Sequence, residues 1–465
     1  MSVSESRQVE PMPMKLWNHG GLKGRIIHVA AWTIGSYAAE AALRLLSSVI
    51  MTRILYPEAF GLMAVASTLP IAVAMLSEVG IRSSIIRKAG DLEDDFLHTA
   101  WTLQVIRGIG IWIIVVACSA LLKLPAVRES LPAESPLADP QMALLLSLTS
   151  STLAIAGFQS INFFVMDRKL DARATTLCTL VSRVVSIPVM VLFAWVYDSV
   201  FALALGAVVM QVVMTALSHI IIPGIPMKFH WDRMIAGPIM SDGKWVAMSS
   251  ASSVVTTLGD RFILSVLMTS VQLGWYSIAL LLLEAIRSLL LRVQRKLTLA
   301  VLSALSGQER NIALRNFYRF RQPIDLAAFG ASGALFTGAP YLVHVLYGSR
   351  YAESGHILSI ISLNLLSLPY LFIMDMFFQN KRVRLLGVFS AVGTLSFIIC
   401  LFAGSYFWGW MGAVWGVALF RWPQVIVANV AAYRLGWIAV WKEVMMLPVF
   451  GVGMLAGWSP KLLGF

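Results

Sequence analysis

The chain has 465 residues, of which 58% are hydrophobic and only 13% charged, a balance that excludes a water-soluble protein because no set of cores could hide so much apolar surface. Its net charge of +12 does not point to nucleic acid, because the basic residues sit in short segments between apolar runs, the positive-inside pattern of a membrane protein. Runs of about 20 apolar residues recur and the alternation of a membrane barrel is missing, which predicts an all-α, polytopic membrane fold.

Residues 1–25, with Arg7, Lys15, Lys23 and Arg25, read as a cytoplasmic N-terminal segment, and no small-residue cleavage site follows the first apolar run. Spans are expected at 28–50, 59–81, 99–122, 141–165, 175–197 and 200–222, together forming an N-lobe over 26–222. A cytoplasmic linker, 223–243, leads to a C-lobe over 244–433 with spans at 245–268, 271–292, 323–347, 355–378, 385–405 and 409–432. A further apolar run at 444–460 lies in an additional C-terminal segment, 434–465, so about 12–14 transmembrane helices are expected. With the N-terminus in the cytoplasm, only Arg53, Lys123, Arg128, Arg350 and Lys461 fall outside. The largest cytoplasmic cluster, Arg292, Arg295, Lys296, Arg310, Arg315, Arg319 and Arg321, is expected to rest on anionic lipid.

No segment outside the spans is long enough to fold as a catalytic domain, and no GxxxxGK[ST] phosphate loop is present. Cys118, Cys178 and Cys400 fall inside apolar spans without metal-ligand spacing. No enzymatic activity, cofactor or metal is therefore expected.

Two stretches repeat. Arg53-Ile-Leu-Tyr-Pro-Glu-Ala-Phe-Gly61-Leu-Met-Ala-Val-Ala66 aligns with the stretch from Ser265 to Ala279 so that Gly61 matches Gly274 and Ala66 matches Ala279. Both copies lie at outer turns, between spans one and two and between spans seven and eight. Six helices then separate equivalent points, which makes the two six-helix lobes parallel and places a central cavity between them.

The stretch from Thr52 through Pro57, Glu58, Phe60 and Gly61, followed by Leu76-Ser-Glu78-Val-Gly80 and Arg87-Lys88, resembles the signature of the polysaccharide transporter family, the Wzx-type O-antigen and exopolysaccharide flippases of the MOP superfamily. Gly259-Asp260-Arg261, Leu273-Gly274-Trp-Tyr276, Leu342 to Tyr351 and Gly412-Ala-Val-Trp-Gly416 are similar to later parts of the same pattern. Read structurally, Pro57 opens a helix, Glu58 sits in its first turn and Gly61 permits close helix approach, so the turn itself is expected to be architecture.

Membership implies a flippase that moves undecaprenyl-pyrophosphate-linked oligosaccharide repeat units outward across the bacterial inner membrane by alternating access. The implied partners are that polyprenyl-linked substrate, membrane lipid, and a polysaccharide polymerase with its chain-length regulator, with no nucleic acid. The family also implies that helices one, two, seven and eight line the cavity. Charges inside spans are costly unless paired or wet, and arginine is the planar, permanently charged donor set suited to a diphosphate. The candidate substrate-binding residues are therefore Arg44, Arg261 and Arg287, with Glu40, Glu78, Asp260 and Glu284 as ion-coupling or tuning groups. Glu40 and Arg44, and Glu284 and Arg287, share helix faces at spacings that allow pairing. Arg287 also lies near the expected cytoplasmic boundary, where snorkelling competes with a cavity role. Arg107, Arg183 and Arg421 are expected to pair within a lobe behind the cavity. A multidrug or organic-cation antiporter of a sister family would need an acid-dominated cavity, and a membrane-embedded polymerase or ligase would need a substantial external loop.

Overall fold

The computed structural model describes residues 21–77, 80–88, 90–132, 134–169, 173–305, 310–371, 373, 383–434, 443 and 446–462. Glu78 and Asp375 lie outside the described residues. Among those described there is no strand, as the composition requires for a chain whose backbone groups must be satisfied within lipid.

The first half contains α1 (Gly21–Ile54), α2 (Pro57–Leu76), α3 (Ile81–Arg87), α4 (Asp94–Leu121), α5 (Pro125–Ser130), α6 (Met142–Gly157), α7 (Asn162–Arg168), α8 (Arg173–Tyr197) and α9 (Phe201–Ile220). The second half contains α10 (Arg233–Leu267), α11 (Ser270–Leu305), α12 (Arg310–Tyr347), α13 (Ala352–Ser362), α14 (Val383–Leu419), α15 (Arg421–Arg434) and α16 (Leu447–Leu462). Seven helical segments among the described residues are individually long and apolar enough to cross a membrane. Within the first half α4, α6, α8 and α9 pack on one another, and within the second α12 packs on α13 and α16, whereas α2 packs chiefly on α11 and α10 and so joins the halves.

Two departures from the expected spans have local causes. The fourth span is broken: α6 and α7 meet at a 69° bend. Gln104 of α4 stabilises the break, its amide donating to the carbonyls of Ala156, Gly157 and Gln159 at 3.3, 3.0 and 2.9 Å. Helix α10 begins ten residues inside the expected linker because Asp232 caps it, accepting a hydrogen bond from the Met234 amide at 2.7 Å. The turn expected between the spans at 385–405 and 409–432 is present: α14 folds back on itself at Trp408 and Gly409, where the glycine takes φ +59°, a backbone conformation that side chains disfavour. Gly404 and Gly412 let the two limbs of that turn touch backbone to backbone.

The last helix, α16, has 16 residues, and its apolar part is shorter than a typical span. It lies along α12 on a seam of small residues: a Cβ at Gly333 would overlap the Phe450 carbonyl, and one at Gly457 would overlap the Ala334 carbonyl. Thr337 crosses the same seam, donating to the Met454 carbonyl at 2.8 Å.

Glu443, shortly before α16, is held by charge. Arg321, expected in the lipid-facing basic cluster, is instead 1% exposed. Its Nη1 and Nη2 reach the two carboxylate oxygens of Glu443 at 2.9 and 2.6 Å, and its Nε reaches Asp325 at 3.0 Å. Tyr318 donates to Glu443 at 2.9 Å and the guanidinium lies 4.8 Å from the Tyr370 ring centre. Burial of an arginine is tolerated here because both carboxylates meet it with hydrogen-bonding geometry.

Candidate functional site

The repeated turns of the two halves touch each other. A Cβ built on Gly61 would overlap the Ser270 carbonyl, and one on Gly274 would overlap the Pro57 carbonyl. Pro57 opens α2 with Glu58 in its first turn, so the proline sets the turn that brings this backbone against α11. Around this contact, Ser48 shares a hydrogen bond with the Tyr347 hydroxyl at 3.0 Å, and the Tyr351 hydroxyl donates to the Leu55 carbonyl at 2.9 Å. The Arg350 guanidinium stacks 4.6 Å from the Tyr56 ring centre, and Trp275 Nε1 donates to the Arg350 carbonyl at 3.2 Å. Residues of the recurring motifs thus tie the halves together at one end. At the opposite end Arg292 of α11 lies 3.0 Å from the ring centre of Tyr37 on α1.

Between these contacts lies a cavity of about 590 Å³ lined by Arg44, Asp260, Arg261, Glu284, Arg287 and Arg421, with apolar walls that include Phe60, Met63, Phe397 and Phe420. At ~1.5 Å per residue, Arg261, Arg44 and Arg287 lie about 9, 15 and 26 Å from the ends of α10, α1 and α11 at the Gly61 contact. Against a hydrocarbon layer about 30 Å thick that begins at those ends, Arg261 and Arg44 fall well inside it and Arg287 near its far side. Arg287 is far from a helix end, because α11 runs on to Leu305, well beyond the expected span boundary at 292. It faces the cavity and pairs with Glu284 at 2.5 Å.

Asp260 is 8% exposed and accepts a hydrogen bond from the buried Tyr276 hydroxyl at 2.5 Å, while its other oxygen has no partner among the described residues. Tyr276 belongs to the Gly274-Trp-Tyr motif, so the same short stretch closes one end and orients a cavity acid. Arg44, Arg261 and Arg421 form no ion pair among the described residues, and the buried Nε atoms of Arg44, Arg287 and Arg421 lack a hydrogen-bond partner there. The lining holds two more guanidiniums than carboxylates, a balance suited to an anion of about two charges.

Glu40 is placed apart from this group. It lines a second cavity of about 270 Å³ with Tyr37, Arg82, Asp167 and Thr176, and it makes no ion pair with Arg44. Arg183 of α8 lies within Coulombic reach of both Glu40 and Arg44. Arg107 packs within the first half, donating to the Ala74 carbonyl at 2.5 Å near the end of α2. Arg421, expected behind the cavity, lines it. Its guanidinium lies 5.0 Å from the Phe420 ring centre.

The sequence profile described as polysaccharide biosynthesis protein matches residues 50–356. No curated protein sequence matches the chain significantly. Among solved structures, the chain is similar to the lipid II flippase MurJ in an inward closed conformation, with 14% identity and a TM-score of 0.68 over 94% of this chain and 93% of that one. It is also similar to an inward-facing multidrug resistance MATE family transporter of the MOP superfamily, with 14% identity and a TM-score of 0.60 over 88% and 95% of the two chains. An outward-facing transporter of that kind gives 13% identity and a TM-score of 0.52 over 90% and 95%. At these identities the likeness is one of fold.

Proposed function

Since the chain belongs to the polysaccharide biosynthesis protein family and is a multi-pass membrane protein with a flippase and transporter fold, we propose that it flips undecaprenyl-pyrophosphate-linked oligosaccharide repeat units outward across a bacterial inner membrane, for O-antigen, capsule or exopolysaccharide synthesis. The observation that carries this reading is the convergence of Arg44, Arg261 and Arg287 on one cavity whose lining is cationic on balance. A polyprenyl diphosphate must shed its water to cross lipid, and fixed guanidiniums replace that water for its phosphates. The prenyl tail remains in the bilayer and needs no enclosed path.

In this reading residues 26–222 and 244–433 act as two parallel lobes that rock about the cavity, with the N-terminus in the cytoplasm and the Gly61 contact closing the outer end. The flipped repeat unit is consumed outside by a polymerase acting with its chain-length regulator, which would draw the flux outward. Organic-cation antiport needs the opposite charge balance in the cavity.

The test is to extract lipid-linked sugars from a deletion strain and assay the leaflet they occupy. Accumulation on the cytoplasmic leaflet is expected, restored by the wild-type gene and not by Arg44→Ala or Arg261→Ala proteins that still insert. Repeat units that reach the outer leaflet but stay unpolymerised would replace the flippase reading with a polymerase or scaffold.

A further inference from the structure

Arg421 was not expected to face the cavity, and its surroundings raise a question that the cationic lining alone does not answer. A guanidinium at membrane depth is costly unless an anion meets it. Arg421 forms no ion pair among the described residues, its Nε is buried without a hydrogen-bond partner, and the Phe420 ring holds one face of the group. The charged groups whose fields reach it are Arg287 and Glu284. Glu284 in turn is held by Arg287 at 2.5 Å. One carboxylate therefore serves two guanidiniums that line the same cavity, one from α11 and one from α15.

We propose that Glu284 is a built-in stand-in for the substrate anion: it occupies Arg287 while the cavity is empty and is displaced when a diphosphate binds Arg287 and Arg421. This deepens the flippase reading and rests on it. The two arginines match the two phosphate groups in number and charge, whereas one carboxylate satisfies only Arg287, which explains why Arg421 is left without a partner. A resident competitor also weakens binding, which matters for a carrier. A site of unopposed arginines would hold a diphosphate too tightly to release it on the far side, and return of Glu284 to Arg287 supplies the counter-charge as the substrate leaves. The arrangement is local: α11 carries both Glu284 and Arg287 three residues apart, so exchange needs side-chain rotation and no helix movement.

The experiment is equilibrium binding of undecaprenyl diphosphate to the purified full-length protein in lipid nanodiscs, with each variant checked by size-exclusion chromatography. Removing a competitor tightens binding, so Glu284→Gln is expected to bind about tenfold more tightly than wild type while transport slows. Arg421→Gln is expected to bind about tenfold more weakly. A merely structural Glu284 would give the opposite sign, so unchanged or weaker binding by a monodisperse Glu284→Gln protein overturns the proposal. If Glu284→Gln does not fold, wild-type affinity in Arg421→Gln overturns it alone. Failure of the wild-type protein to bind undecaprenyl diphosphate overturns the flippase reading as well, whereas wild-type binding with no change in Glu284→Gln overturns only the stand-in.

Discussion

Gly61 and Gly274 occupy equivalent positions in the two halves of the sequence, and in the folded chain their helices press together with no room for a Cβ on either. The internal repeat is thus a self-contact: each copy of the turn is the other's partner. Contacts this close trade side-chain volume for backbone proximity and give van der Waals attraction where lipid offers no hydrophobic driving force between helices.

The smallest addition should loosen this end. Gly274→Ala places a methyl group against the Pro57 carbonyl, and backbone on both sides cannot yield. With Cys118, Cys178 and Cys400 replaced by serine and Ser67, which lines the cavity, replaced by cysteine, a membrane-impermeant maleimide added outside is expected to react faster in Gly274→Ala than in the parent. Equal rates would mean that this contact does not hold the outer end shut.

Gln104 satisfies three carbonyls at the α6–α7 bend. Gln104→Leu leaves them without that partner in a setting poor in water, at a cost of about 1–3 kcal/mol for a buried group. Thermal unfolding of the purified protein should shift down by several degrees, and Gln104→Glu, which lacks the donors, should be no better.

Arg321→Met strands Asp325 and Glu443 in the interior and is expected to destabilise by about 3–5 kcal/mol. Neutralising the acids as well, with Asp325→Asn and Glu443→Gln, should recover much of the loss. Because the same arginine holds Glu443 ahead of α16, the single variant should also make the chain near Glu443 more sensitive to limited proteolysis. A proteolysis pattern like wild type would assign the anchoring of α16 to its glycine seam alone.

Widening that seam is a separate check. Gly457→Val meets both the Ala334 carbonyl and the Thr337 hydroxyl, so a cysteine pair engineered across α12 and α16 should cross-link more slowly in its presence.

What the sequence made legible was what hydropathy and charge report directly. Apolar runs marked the helices, and of the six arginines read within them Arg44, Arg261, Arg287 and Arg421 line the cavity, a charge in an apolar setting having few tolerable places. The same logic did not separate Arg421 from Arg107, since a charge in an apolar run does not say whether it meets a cavity or a carbonyl. The α6–α7 bend was hidden because its interruption, Phe158 to Ile161, is short and flanked by apolar residues. The lengths of α10, α11 and α12 were hidden for the reverse reason: hydropathy records only the part of a helix that lies in lipid. Arg321 was misread because its partner Glu443 is distant in sequence.

Those lengths have a mechanical consequence. Helices of 35, 36 and 38 residues at ~1.5 Å per residue exceed 50 Å, whereas the hydrocarbon layer is about 30 Å thick. In the proposed rocking they would act as oars pinned near one end: a swing of about 10° about the Gly61–Gly274 fulcrum would carry a blade tip some 50 Å away through about 9 Å, while the pinned end would scarcely shift. A stroke of that size would be won from a joint whose closest approach depends on the absence of two methyl groups.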